Sequence, residues 1–513
     1  MANAAEQKSI TIPVEEYAEL RETIAQLKEQ NKELADRLTV LLNRSFGRKS
    51  ERMDPAQLQL FANELIEASR ESEPAEDRKP AKKAKKGHGR APFPPHLHRE
   101  EIELDVVEED RVCPDCGKPM KMIGEDVCER GHIIPARMLV KRYVCKKYGC
   151  PDGHAVRTAP LPPSVIDKGK YEASVYSHLA VAKYSDHQPL HRLEAIYKRS
   201  GFTLPKSTMW DMLRRTDELV AQPILKQMRE ELLQEEILQA DETPTKVMLE
   251  DRKGSKDAWI WCYGFKEKVI FDFTMSRGRD GPCAFLGDWV GLLQSDGYSG
   301  YDEVVRRNDL ERAGCWAHAR RKVNDALETG ATQAVGLMRQ IQRLFWIERA
   351  VDRRAEARRL EEEAKAELRR QVRETRSRQA LASIRILAES LREDPRTLPK
   401  SALGKAVGYI HNQWESLARF LDHPCLPIHN NDAERRLRHV VVGRKNWLFF
   451  GSPRGAEVGA HLFSLISSCK AMGINPELYI EDVLGKIDTT PASEVASLTP
   501  WAWAENQHAA ILA

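Results

Sequence analysis

Three acidic residues sit in short polar runs whose chemistry is that of hard-metal binding: Asp241 in QADETPT, Asp296 in QSDGYSGY and Glu434 in HNNDAERRLRH. Carboxylate oxygens suit Mg²⁺ or Mn²⁺, which keep waters and phosphate oxygens in their shells. Two such ions about 3.5–4 Å apart activate a water and stabilise the leaving 3′ oxygen of an in-line phosphoryl displacement. In that scheme Asp241 bridges the ions, while Asp296 and Glu434 each hold one. Each acid also has a structural use open to it. Asp241 can cap the turn before Pro244, Asp296 can belong to an Asp-Gly turn, and Glu434 can balance a helix dipole. Asp432 competes with Glu434 for the third position. His318 in CWAHARR reads either as a core histidine or as a neighbour of the reacting phosphate.

A second constellation is built from cysteine. Cys113-Pro-Asp-Cys116 is followed, after 28 intervening residues, by Cys145 and Cys150. Two close pairs supply the four thiolates of one tetrahedral structural Zn²⁺. Gly117 suits the tight turn behind the first pair, and Cys128 or His154 could replace one ligand. Lys118, Lys121, Lys141, Arg142, Lys146 and Lys147 surround the pairs. They offset the charge of a four-thiolate centre, and Arg142, Lys146 and Lys147 are candidate DNA contacts.

The acids need elements that bring them together. ILQADETPTKVML, DAWIWCYGF and KVIFDFTM are β-rich runs parted by charged turns, as expected of adjacent antiparallel strands. A helix over about 282–290 and the apolar run GLLQSDGYSGY follow. Strand, strand, strand, helix, strand is how a ribonuclease-H-like α/β domain begins. Its first and fourth strands are neighbours, so Asp241 and Asp296, 55 residues apart, could share a metal. The third acid is delayed by a charged helical insertion over 324–425. Beyond Pro427, Asn430 or Asn431 can cap a helix beginning at Asp432, with Glu434 in its first turn and Arg438 one turn on. The catalytic domain thus spans 236–323 and 426–485, before a C-terminal tail over 486–513. Arg438, Arg444 and Lys445 on that last helix are further candidate DNA contacts.

Upstream, Leu20, Leu27, Leu34 and Leu41 recur every seven residues, with Tyr17, Ile24, Asn31 and Leu38 at the other seam position. Leucine at one seam and a single Asn at the other is the pattern of a parallel two-stranded coiled coil, here over 10–45; an amphipathic helix packed on its own chain is the alternative. A basic turn and a Lys- and Pro-rich linker fill 46–98, the zinc-binding module 99–160, and a helical region 161–235. In the last, helices over about 172–184 and 190–199 and, after a Ser-Gly-Phe turn and a Ser207 cap, over 208–220 resemble a helix-turn-helix. The linker's basic run could rest on phosphates or stay solvated. Of 513 residues 31% are charged, and the net charge is only +3. No run approaches the roughly 18 apolar residues of a membrane span, and MANAAEQKSITIP lacks the pattern of a secretory signal. A cytoplasmic protein is expected, whose ten cysteines are reduced.

ADET, SDGYSGY, CWAHARRK and NNDAERRLRHVVVGRKNWLFFGS resemble the motifs of the insertion-sequence-sixty-six family of DDE transposases. SFGRKSE, the cysteine module, KYSDHQPLHRLE, INPELYIEDVL and PWAW match family landmarks in order, so the resemblance covers nearly the whole chain. It implies a multidomain protein whose ribonuclease-H-like domain carries Asp241, Asp296 and Glu434 as the acidic triad. The implied partners are the element's terminal inverted repeats, target DNA, further copies of the chain in a homodimer or higher oligomer, and possible accessory proteins of the element. The implied setting is a bacterial nucleoid. One departure is that four residues separate Cys145 from Cys150, where closer spacing is usual. The rival activities are a ribonuclease-H-like nuclease without strand transfer and a zinc-containing DNA-binding regulator.

Overall fold

The computed structural model describes residues 169–249 and 254–512, with short stretches between 94 and 165. The expected coiled coil, nearly all of the linker, Cys113, Cys116, Cys150 and His154 lie outside the described residues. The chain divides into two units, Met1–Ile133 and Ile134–Ala513. In the first, exposed Arg99 Nε donates to Glu129 Oε1 at 2.6 Å.

The second unit begins with an antiparallel hairpin, β1 (Lys147–Gly149) and β2 (Val156–Thr158), with Tyr148 opposite Arg157. Four helices follow: α1 (Ala173–Tyr184), α2 (Leu190–Arg199), α3 (Lys206–Thr216) and α4 (Gln222–Leu232). Gly201, at φ +78°, closes α2 by letting Phe202 N–H reach back to Tyr197 O at 2.9 Å. The Ser207 cap does not form. Pro205 occupies the cap position, no side chain caps the start, and Ser207 lies inside the first turn. Nor does the helix stop near Val220. It passes through a π turn at Asp217–Ala221 into α4. Pro223 explains the wide turn, because it lacks the N–H of an α-helical bond and crowds the carbonyl four residues back. Asp217, fully buried at the turn, is held by Gln222 Nε2 (2.8 Å), Arg454 Nη2 (2.8 Å) and His461 Nδ1 (2.6 Å).

A five-stranded mixed sheet comes next. Its strands are β3 (Ile237–Met248), β4 (Ser255–Phe265), β5 (Lys268–Thr274), β6 (Leu292–Gln294) and β7 (Glu311–Ala313), in the order β5-β4-β3-β6-β7. The first three pair antiparallel, with Asp241 opposite Cys262. The last two join in parallel, with Gln239 beside Gln294 and Gln294 beside Ala313. Those two buried glutamines are bonded to each other at 2.8 Å, and Gln294 Nε2 also donates to Pro427 O at 2.7 Å. The crossover to β6 carries α5 (Asp280–Leu286), which ends earlier than expected at Gly287, φ +58°. β6 is likewise shorter than its apolar run, because the chain turns at Asp296; α6 (Asp302–Asn308) leads on to β7.

The segment expected as an insertion, 324–425, is helical, and the core it shares begins before 324. α7 (Trp316–Glu328), α8 (Val335–Arg358), α9 (Glu362–Val372), α10 (Arg378–Glu393), α11 (Ala402–Asn412) and the short α12 (Trp414–Ala418) enclose Trp316, Val323, Ile341, Ile384 and Ile410. The chain then returns through α13 (Asn431–Trp447), α14 (Pro453–Ala471) and α15 (Pro476–Lys486). α14 lies along edge strand β5. Ser464 Oγ accepts from Phe271 N–H at 2.8 Å, and Ser468 Oγ donates to Val269 O at 3.0 Å. These bonds cover an edge that would otherwise pair with another chain. Trp261, Phe271, Phe463 and Tyr479 fill the main core with residues of α1–α4, and burying each ring contributes roughly 1.5–3 kcal/mol. The expected tail forms α16 (Pro500–Leu512), whose Trp503 Nε1 donates to Asp482 Oδ2 at 2.8 Å. Among the described residues no helix is long and apolar enough to cross a membrane.

Candidate active site

The parallel register of β3 and β6 has an offset of 55 residues, Ile237 with Leu292 through Gln239 with Gln294. Continued two residues, it brings Asp241 and Asp296 to the same edge of the sheet. Asp241 Oδ1 accepts the N–H of Glu242 at 3.0 Å. Asp296 follows β6 in a tight turn, where its Oδ1 accepts Tyr298 N–H at 2.9 Å. Arg312 fixes that turn by donating to the carbonyls of Asp296 (2.7 Å) and Tyr298 (2.8 Å).

Glu434 reaches the same edge through Asn430. That residue precedes α13 but does not cap it with its side chain. Fully buried, Asn430 instead donates Nδ2 to Ala240 O at 2.8 Å, and its N–H to Cys315 Sγ at 3.2 Å. The helix is thereby tied to the residue before Asp241, and Glu434 sits in its first turn. Glu434 Oε1 lies 3.7 Å from His318 Nε2, and Oε2 lies 3.5 Å from Arg321 Nη2. Both Glu434 Oε1 and His318 Nδ1 are buried without a hydrogen-bond partner. Asp432 points to its own helix instead, pairing with Arg435.

The electrostatics follow from this crowding. Burial, then the charge of Glu242, then those of Asp296 and Glu434, push the Asp241 carboxyl up to about 8, against one opposing backbone bond. Glu242 escapes the reading from sequence, although it adjoins Asp241 in ADET. Its side chain is 2% exposed and held by Arg277 Nη2 at 2.6 Å and Tyr301 Oη at 2.9 Å. Arg277 stacks on Tyr298, 3.9 Å from the ring centre. The partners of Glu242 are 35 and 59 residues away, so only the TMSRGRD and SDGYSGY runs themselves hint at them.

The carboxylates share an edge, not a single point: among the described residues no three acidic, His or Cys side chains form a finished ligand set. Of the basic candidates, Arg444 Nη1 donates to Thr243 Oγ1 at 3.3 Å, two residues from Asp241. Arg438 and Lys445 are exposed on α13, and Arg142, Lys146 and Lys147 are exposed in and before β1. Of the four expected zinc ligands only Cys145 is described; it is half-buried just ahead of β1.

Comparison with known proteins covers most of this molecule. The model for the zinc-finger binding domain of transposase IS66 matches residues 110–152, and that for the IS66 C-terminal element matches 464–501. A model described as transposase C of IS166 homeodomain matches 33–102. Two uncharacterized proteins of Sinorhizobium fredii (strain NBRC 101917 / NGR234) align nearly end to end. Protein y4qI is 30% identical over 97% of this chain and 94% of its own, and y4jD is 28% identical over 96% and 98%. The model of the transposase IS66 family itself matches residues 168–458, which hold all three acids of the shared edge, and the chain belongs to that family.

Proposed function

We propose that this chain binds the terminal inverted repeats of its own insertion sequence and catalyses metal-dependent DNA cleavage and strand transfer. The domain that does so is read as ribonuclease-H-like, with three antiparallel strands continued by two parallel ones. The observation that carries the reading is the meeting of Asp241, Asp296 and Glu434 at one sheet edge through the β3–β6 register and the Asn430–Ala240 bond. Asp241 is raised by burial, by Glu242 and then by the charges of the other two, and Glu434 Oε1 is buried without a hydrogen-bond partner. Both features fit a cation. Asp241, Asp296 and Glu434 would hold two Mg²⁺ or Mn²⁺ ions, with Asp241 shared between them and Asp296 and Glu434 serving one each.

Bound ions of this kind activate the attacking oxygen and stabilise the leaving one. The chain's own residues set the stage. Arg312 holds the Asp296 turn, Asn430 holds α13 against β3, and Arg277 neutralises Glu242 beside the triad. Hydrolysis of one phosphodiester frees a 3′-hydroxyl. In-line attack of that hydroxyl on a target phosphodiester then forms the new P–O bond as the bond to the target strand's own 3′ oxygen breaks. That strand is left with a free 3′-hydroxyl, and the element is joined to the other side. The basic side chains Arg142, Lys146, Lys147, Arg438, Arg444 and Lys445 are proposed to lie along the DNA. Cys113, Cys116, Cys145 and Cys150 are proposed to hold one structural Zn²⁺, in keeping with the zinc-finger match.

The test is a strand-transfer assay with pre-cleaved element-end DNA and Mg²⁺. Joined product is expected from the wild type. Hydrolysis without joining would make the chain a nuclease, and binding without either would make it a regulator.

A further inference from the structure

A cavity of about 590 Å³ lies between α7, α10 and α11. Lys322, Arg392 and Lys405 stand on its wall, and no acidic residue does. Among the described residues the three basic groups are left out of every ion pair. Lys322 Nζ sits 5.1 Å from the centre of the Tyr409 ring, and Arg392 Nη1 bonds the His411 ring at 2.7 Å. Like charges gathered without a counter-charge repel one another, and an anion between them removes that repulsion.

The second observation is a glycine. Gly408 lies within α11 and on the cavity wall, and a Cβ there would meet no atom within 4 Å. Glycine weakens a helix interior relative to almost any other residue, so its presence calls for a reason. Packing supplies one for Gly404, a turn earlier, where a Cβ would strike Leu398 O. Packing supplies none for Gly408. Its missing side chain is room over the helix, and that room is ringed by cations.

The cavity also adjoins the carboxylate edge. Tyr409 abuts the turn after Asp296, since a Cβ on Gly297 would lie 2.9 Å from its ring. Lys322 is one helical turn beyond His318, which neighbours Glu434.

We infer that this cavity seats the sugar–phosphate backbone of a DNA strand next to the triad, with Lys322, Lys405 and Arg392 on its phosphates and Gly408 giving the strand close approach to α11. The inference rests on the transposase reading and deepens it, giving the helical insertion a direct role in holding DNA. Three separate cations and an aromatic face spread over 590 Å³ exceed what one inorganic phosphate fills.

The test uses the full chain and two probes, a short random-sequence duplex and inorganic phosphate. Binding of the duplex is titrated at several salt concentrations. The Lys322→Gln/Lys405→Gln double variant should lower the slope of log affinity against log salt by about 1.8, at about 0.9 for each lysine–phosphate pair removed. Gly408→Gln should melt no lower than wild type yet bind the duplex more weakly. The lysine variant changes only charge near the surface, so it decides the matter even where Gly408→Gln folds poorly. Wild-type duplex affinity and slope in the lysine variant would overturn the inference. So would variants that cease to bind inorganic phosphate but keep the duplex, which would make the cavity a small-anion site. A wild-type chain that retains no duplex at low salt would instead overturn the transposase reading itself.

Discussion

Asp241 holds a proton where an ordinary aspartic acid has lost it, because burial and then Glu242, Asp296 and Glu434 raise its carboxyl to about 8. Between pH about 4 and 8 the native metal-free chain therefore binds more protons here than the unfolded chain, and this group's contribution to stability falls as pH rises. Burial lowers His318, His187 and His439, whose contribution has the opposite slope below about pH 6.5. The effect of Asp241 is thus cleanest from about pH 6.5 to 7, because burial also lowers Lys183 to about 8 and its contribution has the opposite slope toward that value. Across that window the melting temperature of metal-free protein should fall, and Asp241→Asn should flatten the fall. Mg²⁺ should stabilise the wild type more at the upper end, since the ion displaces the proton. Equal slopes in wild type and Asp241→Asn would remove the electrostatic account. Activity gives a second test. Asp241→Asn, Asp296→Asn and Glu434→Gln keep shape while removing charge, so each should fold and bind element ends. Each should lose strand transfer by several orders of magnitude, with double variants little worse than single ones. Asp432→Asn should stay active, since Asp432 pairs with Arg435 outside the cluster. Strand transfer retained by Glu434→Gln but lost by Asp432→Asn would reverse that assignment.

Elements position these residues, and the least replaceable support lies in the insertion. Arg373, fully buried in a π turn between α9 and α10, bonds both oxygens of Glu348 at 2.8 Å. It also donates to the carbonyls of Phe420 (2.7 Å), His423 (3.0 Å) and Leu426 (2.8 Å), on the segment that enters α13. Arg373→Met would leave Glu348 with only the longer Arg369 pair, at 3.3 Å, and three carbonyls without their donor, at a cost of about 3–5 kcal/mol. A denaturant midpoint that does not move would show that water replaces the guanidinium. Much at this scale is legible in the sequence. Pro189 before and Ser200-Gly201 after bound α2, which forms over Leu190–Arg199 as expected. The shift from helical to alternating periodicity marks β3 to β5, and the 55-residue offset is the β3–β6 register. What escapes depends on distant partners. Asn430 looks like a helix cap because its local sequence is that of a cap, yet its side chain bonds Ala240, 190 residues away. The π turn at Asp217 is held by Arg454 and His461, more than 230 residues downstream, and no window of local periodicity contains them.

Across the whole molecule, the readings that come from spacing alone concern the N-terminal third, and two measurements address them. Protein purified without chelator should carry about one Zn²⁺ per chain. The Cys113→Ser/Cys116→Ser variant should lose it, along with protection of residues 110–155 from proteolysis; wild-type protein without zinc would exclude the site. The second measurement concerns assembly. An insertion sequence has two ends to be joined, whereas one chain has one carboxylate edge, so two copies held together could engage both ends at once. The heptad of Leu20, Leu27, Leu34 and Leu41 supplies a means, and Asn31 at the other seam favours two parallel strands over higher oligomers, at some expense in stability. Parallel strands would put the two zinc modules on the same side of the coil, each tethered through 46–98. Linking two binding modules raises the effective concentration of the second end. Leu27→Glu/Leu34→Glu should therefore turn a dimer into a monomer in sedimentation. It should leave the zinc content unchanged and weaken the pairing of two element ends far more than the binding of one. A wild-type chain that sediments as a monomer at high concentration would mean the heptad packs against its own chain. A variant that remains dimeric would place the self-association on another surface.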